Sequence, residues 1–300
     1  MTQESMMISG RCLNRLMRAG LVVGVGVWLS VSVSVVKAAE LETEELFPRI
    51  EVVTFESASL KQRKRAVIVL PENWRSIEPA ARRTLVILHG RGRHERSLVD
   101  DKIIRQQLLD SGLFVILPDG DDGWYLNSPV RQQDSYETYL EEVLSQVANA
   151  YDLPEKKEQW AIAGWSMGGY GCVRFAERHP GRFAAVSSMI GLLDFPRNGL
   201  PAGQSYKVPV ERFGDDEIEW KKFNTQNQAE ELRGASLLII TADQAFDRTM
   251  NEHFHDRLTA LELPHQYVEL KGGHTFPVVR AAIPLVLAHT QRVLLRKTRN

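Results

Sequence analysis

The chain has 300 residues, 43% of them hydrophobic, and its 37 Lys and Arg against 38 Asp and Glu give a formal net charge of −1. That length and apolar content supply one sizeable α/β core. The balanced charge removes the electrostatic basis for nucleic-acid binding, and no internal repeat or low-complexity tract stands out.

The N-terminus reads as a separate object. Arg11, Arg15 and Arg18 precede an uncharged, largely apolar run from Ala19 to Val36, and Val36-Lys37-Ala38 places small residues before Ala39. The acidic Glu40-Leu41-Glu42-Thr43-Glu44-Glu45 follows. This pattern predicts a secretory signal peptide over residues 1–39. The competing reading is an uncleaved anchor, because the run approaches the ~18–20 residues of a spanning helix. Interspersed Ser and Gly favour cleavage. Both readings put the rest of the chain outside the cytoplasm, secreted or periplasmic, with a membrane link only if the segment is retained. Cys12 would leave with that segment, so the mature chain keeps Cys172 alone, expected as a small buried residue without a disulfide.

From residue 46 to residue 296 the chain reads as one domain. Ile50 to Phe55 and Arg65 to Leu70 are β-rich runs that suggest an antiparallel pair. Thr84 to Leu88 and Leu113 to Leu117 are continuous apolar runs, as expected of strands buried on both faces of a parallel sheet. Between them lies a helical segment, Asp101 to Leu109, and after them a helix from Ser135 to Tyr151. Further strands are expected at Trp160–Ala163, Phe183–Met189, Leu237–Thr241 and Gln266–Leu270, with helices at Gly171–His179, Met250–Leu261 and Val278–Leu295. This alternation predicts an α/β fold, a mostly parallel central sheet with helices on both faces. Residues 193–233, rich in Pro, Gly and charge, interrupt it and read as a small cap or lid insertion.

The chemistry centres on Gly164-Trp165-Ser166-Met167-Gly168. A G-x-S-x-G run between a strand and a helix is the setting of a nucleophile elbow, which exposes the serine at a strained turn where helix N–H groups favour negative charge. Serine needs a general base. His274, in Gly272-Gly273-His274-Thr275, follows a strand near the C-terminus and fits that role. The acid that should orient it lies after Leu237–Thr241, where Asp243 and Asp247 both qualify; Asp194 is a weaker substitute. Asp243 follows the strand by one residue and could close the turn on local N–H groups, so Asp247 is the preferred acid. The oxyanion donors are expected at the backbone N–H groups of Met167 and of Arg91, in Leu88-His89-Gly90-Arg91-Gly92. His89 reads as structural. No residue spacing suggests a metal site, and no cofactor is implied.

Taken in order, these segments resemble the esterase D-like branch of the α/β-hydrolases, which includes S-formylglutathione hydrolases, tributyrin and feruloyl esterases and mycolyltransferases. The likeness rests on Val67-Ile68-Val69-Leu70-Pro71, Leu88-His89-Gly90, Pro118-Asp119-Gly120, Gly123-Trp124-Tyr125-Leu126-Asn127-Ser128 and Tyr136-Glu137-Thr138-Tyr139-Leu140. It continues through the elbow to Tyr170-Gly171, Phe213-Gly214 with Trp220, Asn251 with Phe254-His255, and Gly272 to Phe276. The resemblance implies an α/β-hydrolase fold and a serine esterase acting on a small-molecule ester or thioester, with Ser166 as nucleophile and His274 as base. It also implies a departure: ungapped alignment puts Ala245 where the family's acid stands, with Asp243 and Asp247 two residues either side, and Phe246 matching the aromatic that accompanies that acid. Trp124, Tyr125 and the insertion are expected to shape the substrate pocket, and the bulky Trp165 to narrow its entrance. The alternatives are an acyltransferase or serine peptidase using the same triad, or a non-catalytic binding protein with a decayed acid position.

Overall fold

A computed structural model of the chain describes residues 41–295; the expected signal segment, 1–39, lies outside them. A single nine-stranded sheet has the order β1-β2-β3-β5-β4-β6-β7-β8-β9. Its strands are β1 (Glu42–Phe47), β2 (Ile50–Ser57), β3 (Gln62–Val69), β4 (Thr84–Leu88), β5 (Phe114–Pro118), β6 (Trp160–Trp165), β7 (Ala185–Met189), β8 (Ser236–Ala242) and β9 (His265–Leu270). The first three run antiparallel to their neighbours, and β5, β4, β6, β7, β8 and β9 are mutually parallel.

The apolar runs explain the layering. Every residue of β4, β5, β6 and β7 is buried. Along β4, Val86 and Leu88 join a core shared with α2 (Tyr136–Ala150), α3 (Met167–Arg178) and α6 (Arg248–Ala260). Leu85 and Ile87 face the other way, into a core shared with α1 (Lys102–Asp110) and α7 (Phe276–Leu294). Alternate side chains thus feed two cores, and neither face can tolerate polar periodicity. Among the described residues no helix is long and apolar enough to cross a membrane.

Three features depart from the sequence reading. The sheet starts before residue 46: the acidic run forms edge strand β1, pairing Glu42 with Thr54 and Thr43 with Val53. Its first four residues are exposed, so no buried side-chain periodicity marked it in the sequence. Helix α3 begins at Met167 rather than Gly171, directly after the serine, because tertiary packing overrides three helix-weakening glycines. The insertion at 193–233 is tied into the fold. It holds two single-turn helices, α4 (Val210–Phe213) and α5 (Glu217–Trp220), and buries Leu193, Phe195, Phe213 and Trp220 against the α2–α3 core. Tyr170 and Arg174 of α3 donate to its carbonyls at Phe223 and Lys222, at 2.8 and 3.0 Å.

The buried His289 pins α7 to the sheet, with Nδ1 3.0 Å from Ser187 Oγ on β7 and Nε2 3.0 Å from Ser236 Oγ on β8. Burial, reinforced by Arg292, pushes its pKa from 6.5 down to about 4. The unfolded chain therefore binds this proton first as pH falls, so stability is full above pH 6.5 and declines towards pH 4. The effect is on the order of 3 kcal/mol. Thermal unfolding of His289→Gln across that range should show a flatter pH dependence than the wild type; parallel curves would contradict it.

Candidate active site

Parallel strands deliver the site residues to one edge, beyond the C-terminal ends of β4, β6, β8 and β9, where open α/β sheets form their crevices. Ser166, between β6 and α3, has φ 55° and ψ −119°, a conformation that L-residues avoid. Backbone contacts enforce it. A Cβ at Gly164 would lie 2.1 Å from Gly168 O, and one at Gly168 would lie 2.1 Å from Leu88 O. Ser166 N–H also donates to Met189 O at 3.0 Å. Helix and strands thus meet backbone to backbone, and the serine is held at the apex.

His274 approaches from the β9–α7 loop. Its Nε2 is 2.8 Å from Ser166 Oγ and its Nδ1 is 2.6 Å from Asp247 Oδ1. With Nδ1–H donating to the carboxylate, Nε2 is left to accept from the serine hydroxyl. Phe246 packs against the imidazole, with ring centroids 4.4 Å apart. Asp247 itself is fully buried. It stands at the N-cap of α6 yet makes no capping bond with its side chain. Its second oxygen, Oδ2, accepts from Asn251 Nδ2 at 2.8 Å. That amide also donates to Gly191 O at 2.8 Å, tying the acid loop to the end of β7.

The other acidic candidates are occupied elsewhere. Asp243 accepts from Gly272 N–H at 2.9 Å and Lys271 Nζ at 2.8 Å, closing the turn beside His274 without touching the imidazole. Those two contacts, Lys271 first, lower its pKa. Asp194 binds Arg197, His253 and Asn224 at 2.6, 2.7 and 2.9 Å, within the insertion and its contact with α6.

Ser166 opens into a cleft of about 160 Å³, walled mainly by Trp165, Ile190, Phe276 and Val279 and bounded by Gly90, Arg91, Arg93 and His274. Among the described residues the backbone N–H groups of Arg91 and Met167 donate to no acceptor. The Arg91 side chain is held by Tyr206 OH at 2.8 Å and Asp122 at 3.4 Å, and the tyrosine contact heads the causes that raise its pKa. His89 is structural, as expected: buried, it spans Gly90 O and Gly120 N–H at 2.9 and 2.8 Å.

Trp124 and Tyr125 do not line this cleft, which corrects the expectation for both. They adopt left-handed backbone angles, φ 56° and 53°, that turn both rings into the core. Trp124 stacks on Phe195 of the insertion at 4.8 Å, and the Tyr125 hydroxyl donates to His89 O at 3.2 Å. Trp165 does line it, and its indole crowds Gly90. Sequence reasoning assigned no role to Asn251, Ile190, Phe276 or Arg93. Asn251 and Phe276 sat inside the quoted motifs; nothing distinguished Ile190 or Arg93.

The fold and the strand–serine–helix turn are those of the α/β-hydrolases. The family model described as "Putative esterase" matches residues 57–289, and the chain belongs to that family. Curated relatives include an esterase of Mycobacterium tuberculosis, 24% identical over 270 residues that cover 79% of this chain. The chain spans only 58% of that relative's length. An S-formylglutathione hydrolase of Mus musculus is 26% identical over 66% of this chain and 74% of its own. Among solved structures, an S-formylglutathione hydrolase from Agrobacterium tumefaciens superposes with a TM-score of 0.70 at 17% identity, covering 85% of this chain and 99% of that one. The fluorophosphonate-binding serine hydrolase F of Staphylococcus aureus gives 0.68 at 23% identity, over 80% and 97%.

The close backbone approach at the elbow should tolerate no side chain. Gly168→Ala is expected to lower the melting temperature sharply or abolish soluble expression, since a backbone carbonyl cannot move aside as a side chain can. A variant that melts with the wild type would contradict the packing described.

Proposed function

We propose that this chain is a serine esterase that cleaves short-chain carboxylic esters or thioesters through an acyl-enzyme on Ser166. One observation carries the reading: the continuous chain from Ser166 Oγ to His274 Nε2 and from Nδ1 to the buried Asp247, 2.8 and 2.6 Å long. In this mechanism His274 removes the serine proton as Oγ attacks the ester carbonyl, and Asp247 stabilises the imidazolium that forms. The tetrahedral oxyanion is received by the Arg91 and Met167 amides, each such donor being worth about 3–4 kcal/mol. The imidazolium then protonates the leaving alkoxide or thiolate. Water repeats the cycle on the acyl-enzyme, releasing the acid and freeing Ser166.

The intact hydrogen-bond chain favours catalysis over a decayed binding protein. The cleft of about 160 Å³ favours a short acyl group, being small beside the ~300–1,000 Å³ of ligand pockets in general. Export by the N-terminal segment belongs to the same proposal: such an enzyme would meet its ester outside the cytoplasm.

A panel of p-nitrophenyl esters tests the reading. Acetate and butyrate should be turned over well and palmitate poorly, and Ser166→Ala should reduce kcat on the order of 10⁶-fold with its fold intact. Retention of wild-type turnover by a folded Ser166→Ala variant would refute it.

The two acids separate cleanly. Asp247→Asn is expected to lower kcat about 10³–10⁴-fold, since an amide holds the imidazole in the wrong tautomer. Asp243→Asn, which keeps an oxygen for Gly272 N–H and loses the exposed Lys271 ion pair, should cost less than about tenfold, because exposed ion pairs contribute little. Exchange of these two results would reassign the acid.

A further inference from the structure

The cleft beside Ser166 is electrostatically one-sided. Its lining includes two arginines, Arg91 and Arg93, and no carboxylate. The two differ in how their charge is met. Arg91 is held by Tyr206 and lies within 3.4 Å of Asp122 Oδ2. The guanidinium of Arg93 forms neither an ion pair nor a hydrogen bond among the described residues, although its backbone N–H donates to Gly90 O at 3.1 Å and closes the loop after β4.

Arg93 is nevertheless positioned. Its Cζ lies 5.2 Å from the centroid of the Phe276 ring. Phe276 in turn meets Trp165 edge to face, with centroids 6.4 Å apart. A cation–π contact draws a guanidinium towards the ring without using its N–H donors in a hydrogen bond. The two aromatic residues also form the cleft wall beside the serine. An exposed guanidinium fork, met by no carboxylate among the described residues, thus stands on the wall of the space that an ester bound at Ser166 must fill. Such a fork pairs best with a planar carboxylate.

We infer that Arg93 is a specificity-determining residue that selects esters bearing an anionic group, best a carboxylate, close to the scissile bond. The inference rests on ester hydrolysis at Ser166 and names the substrate class of that site. The charge can enter on either side of the bond, as part of the acyl group or of the leaving group, and the same contact serves both.

Two matched pairs distinguish the sides. The leaving-group pair is 4-acetoxybenzoate against 4-acetoxybenzamide. The acyl pair is the p-nitrophenyl monoester of adipic acid against that of adipamic acid. In at least one pair the wild type should show a carboxylate-to-carboxamide ratio of kcat/KM near tenfold, set mainly by KM and reduced by 0.5 M NaCl as the charges are screened. Arg93→Gln should lower that ratio about tenfold, and Arg93→Lys should keep much of it. Arg93→Glu should reverse it and raise turnover of acetylcholine, whose leaving group is cationic. A ratio near one in both pairs, or one unchanged in Arg93→Gln, would overturn the anion selection while hydrolysis itself persisted. Failure of the wild type to cleave p-nitrophenyl acetate as well as these four esters would overturn the esterase reading, and this inference with it, whereas cleavage of the acetate alone would overturn the anion selection only.

Discussion

The site depends on one steric constraint, the backbone contact between the start of α3 and the ends of β4 and β6. Because residues 164 and 168 carry no Cβ, the helix can seat against Leu88 and leave Ser166 in a left-handed conformation. Strain of that kind costs about 1–3 kcal/mol and persists only where the surroundings over-determine it. Here the surroundings are the fully buried parallel strands β4, β6 and β7, held between two cores. The stiffness of the sheet is what allows a high-energy turn to survive at its edge.

Electrostatics then completes the arrangement. A fully buried carboxylate is costly without partners, and Asp247 has two: the imidazole on one oxygen and the Asn251 amide on the other. Asn251 bonds to Gly191 as well, so the acid is anchored to the strand end beside the elbow instead of drifting with its own loop. Asp243 does the complementary work on the outside, clamping the turn that carries His274. The two aspartates thus take two places in one loop pair, Asp247 against the imidazole and Asp243 closing its turn.

Much of this was legible in the sequence, because it rests on local patterns. Continuous apolar runs announced β4 and β5, and glycine around a serine after a strand announced the elbow. His274 stood in a Gly-Gly turn directly after a strand-like run. What stayed hidden depends on contacts between distant segments. Spacing alone could not tell which aspartate faces the imidazole, since the choice rests on how the 243–247 loop pairs with 270–273, through the backbone bonds of Asp243 to Leu270 and Gln244 to Gly272. Trp124 and Tyr125 were expected to shape the pocket, as part of a segment that resembles the family's. Their backbone angles send them inward instead: Tyr125 fills space left by Gly120 and Gly171, and Trp124 packs among Tyr170, Phe195 and Phe213. Strand β1 was missed because it is exposed and acidic, with backbone pairing as its main tie to the sheet.

The central claim is that Ser166 is a nucleophile activated by His274. It is tested most directly by reacting the native protein with a fluorophosphonate and mapping the adduct by mass spectrometry. A single adduct on the peptide containing Ser166, absent from His274→Ala, is the predicted result. Folded protein that takes up no label, or takes it up at another residue, would contradict the account.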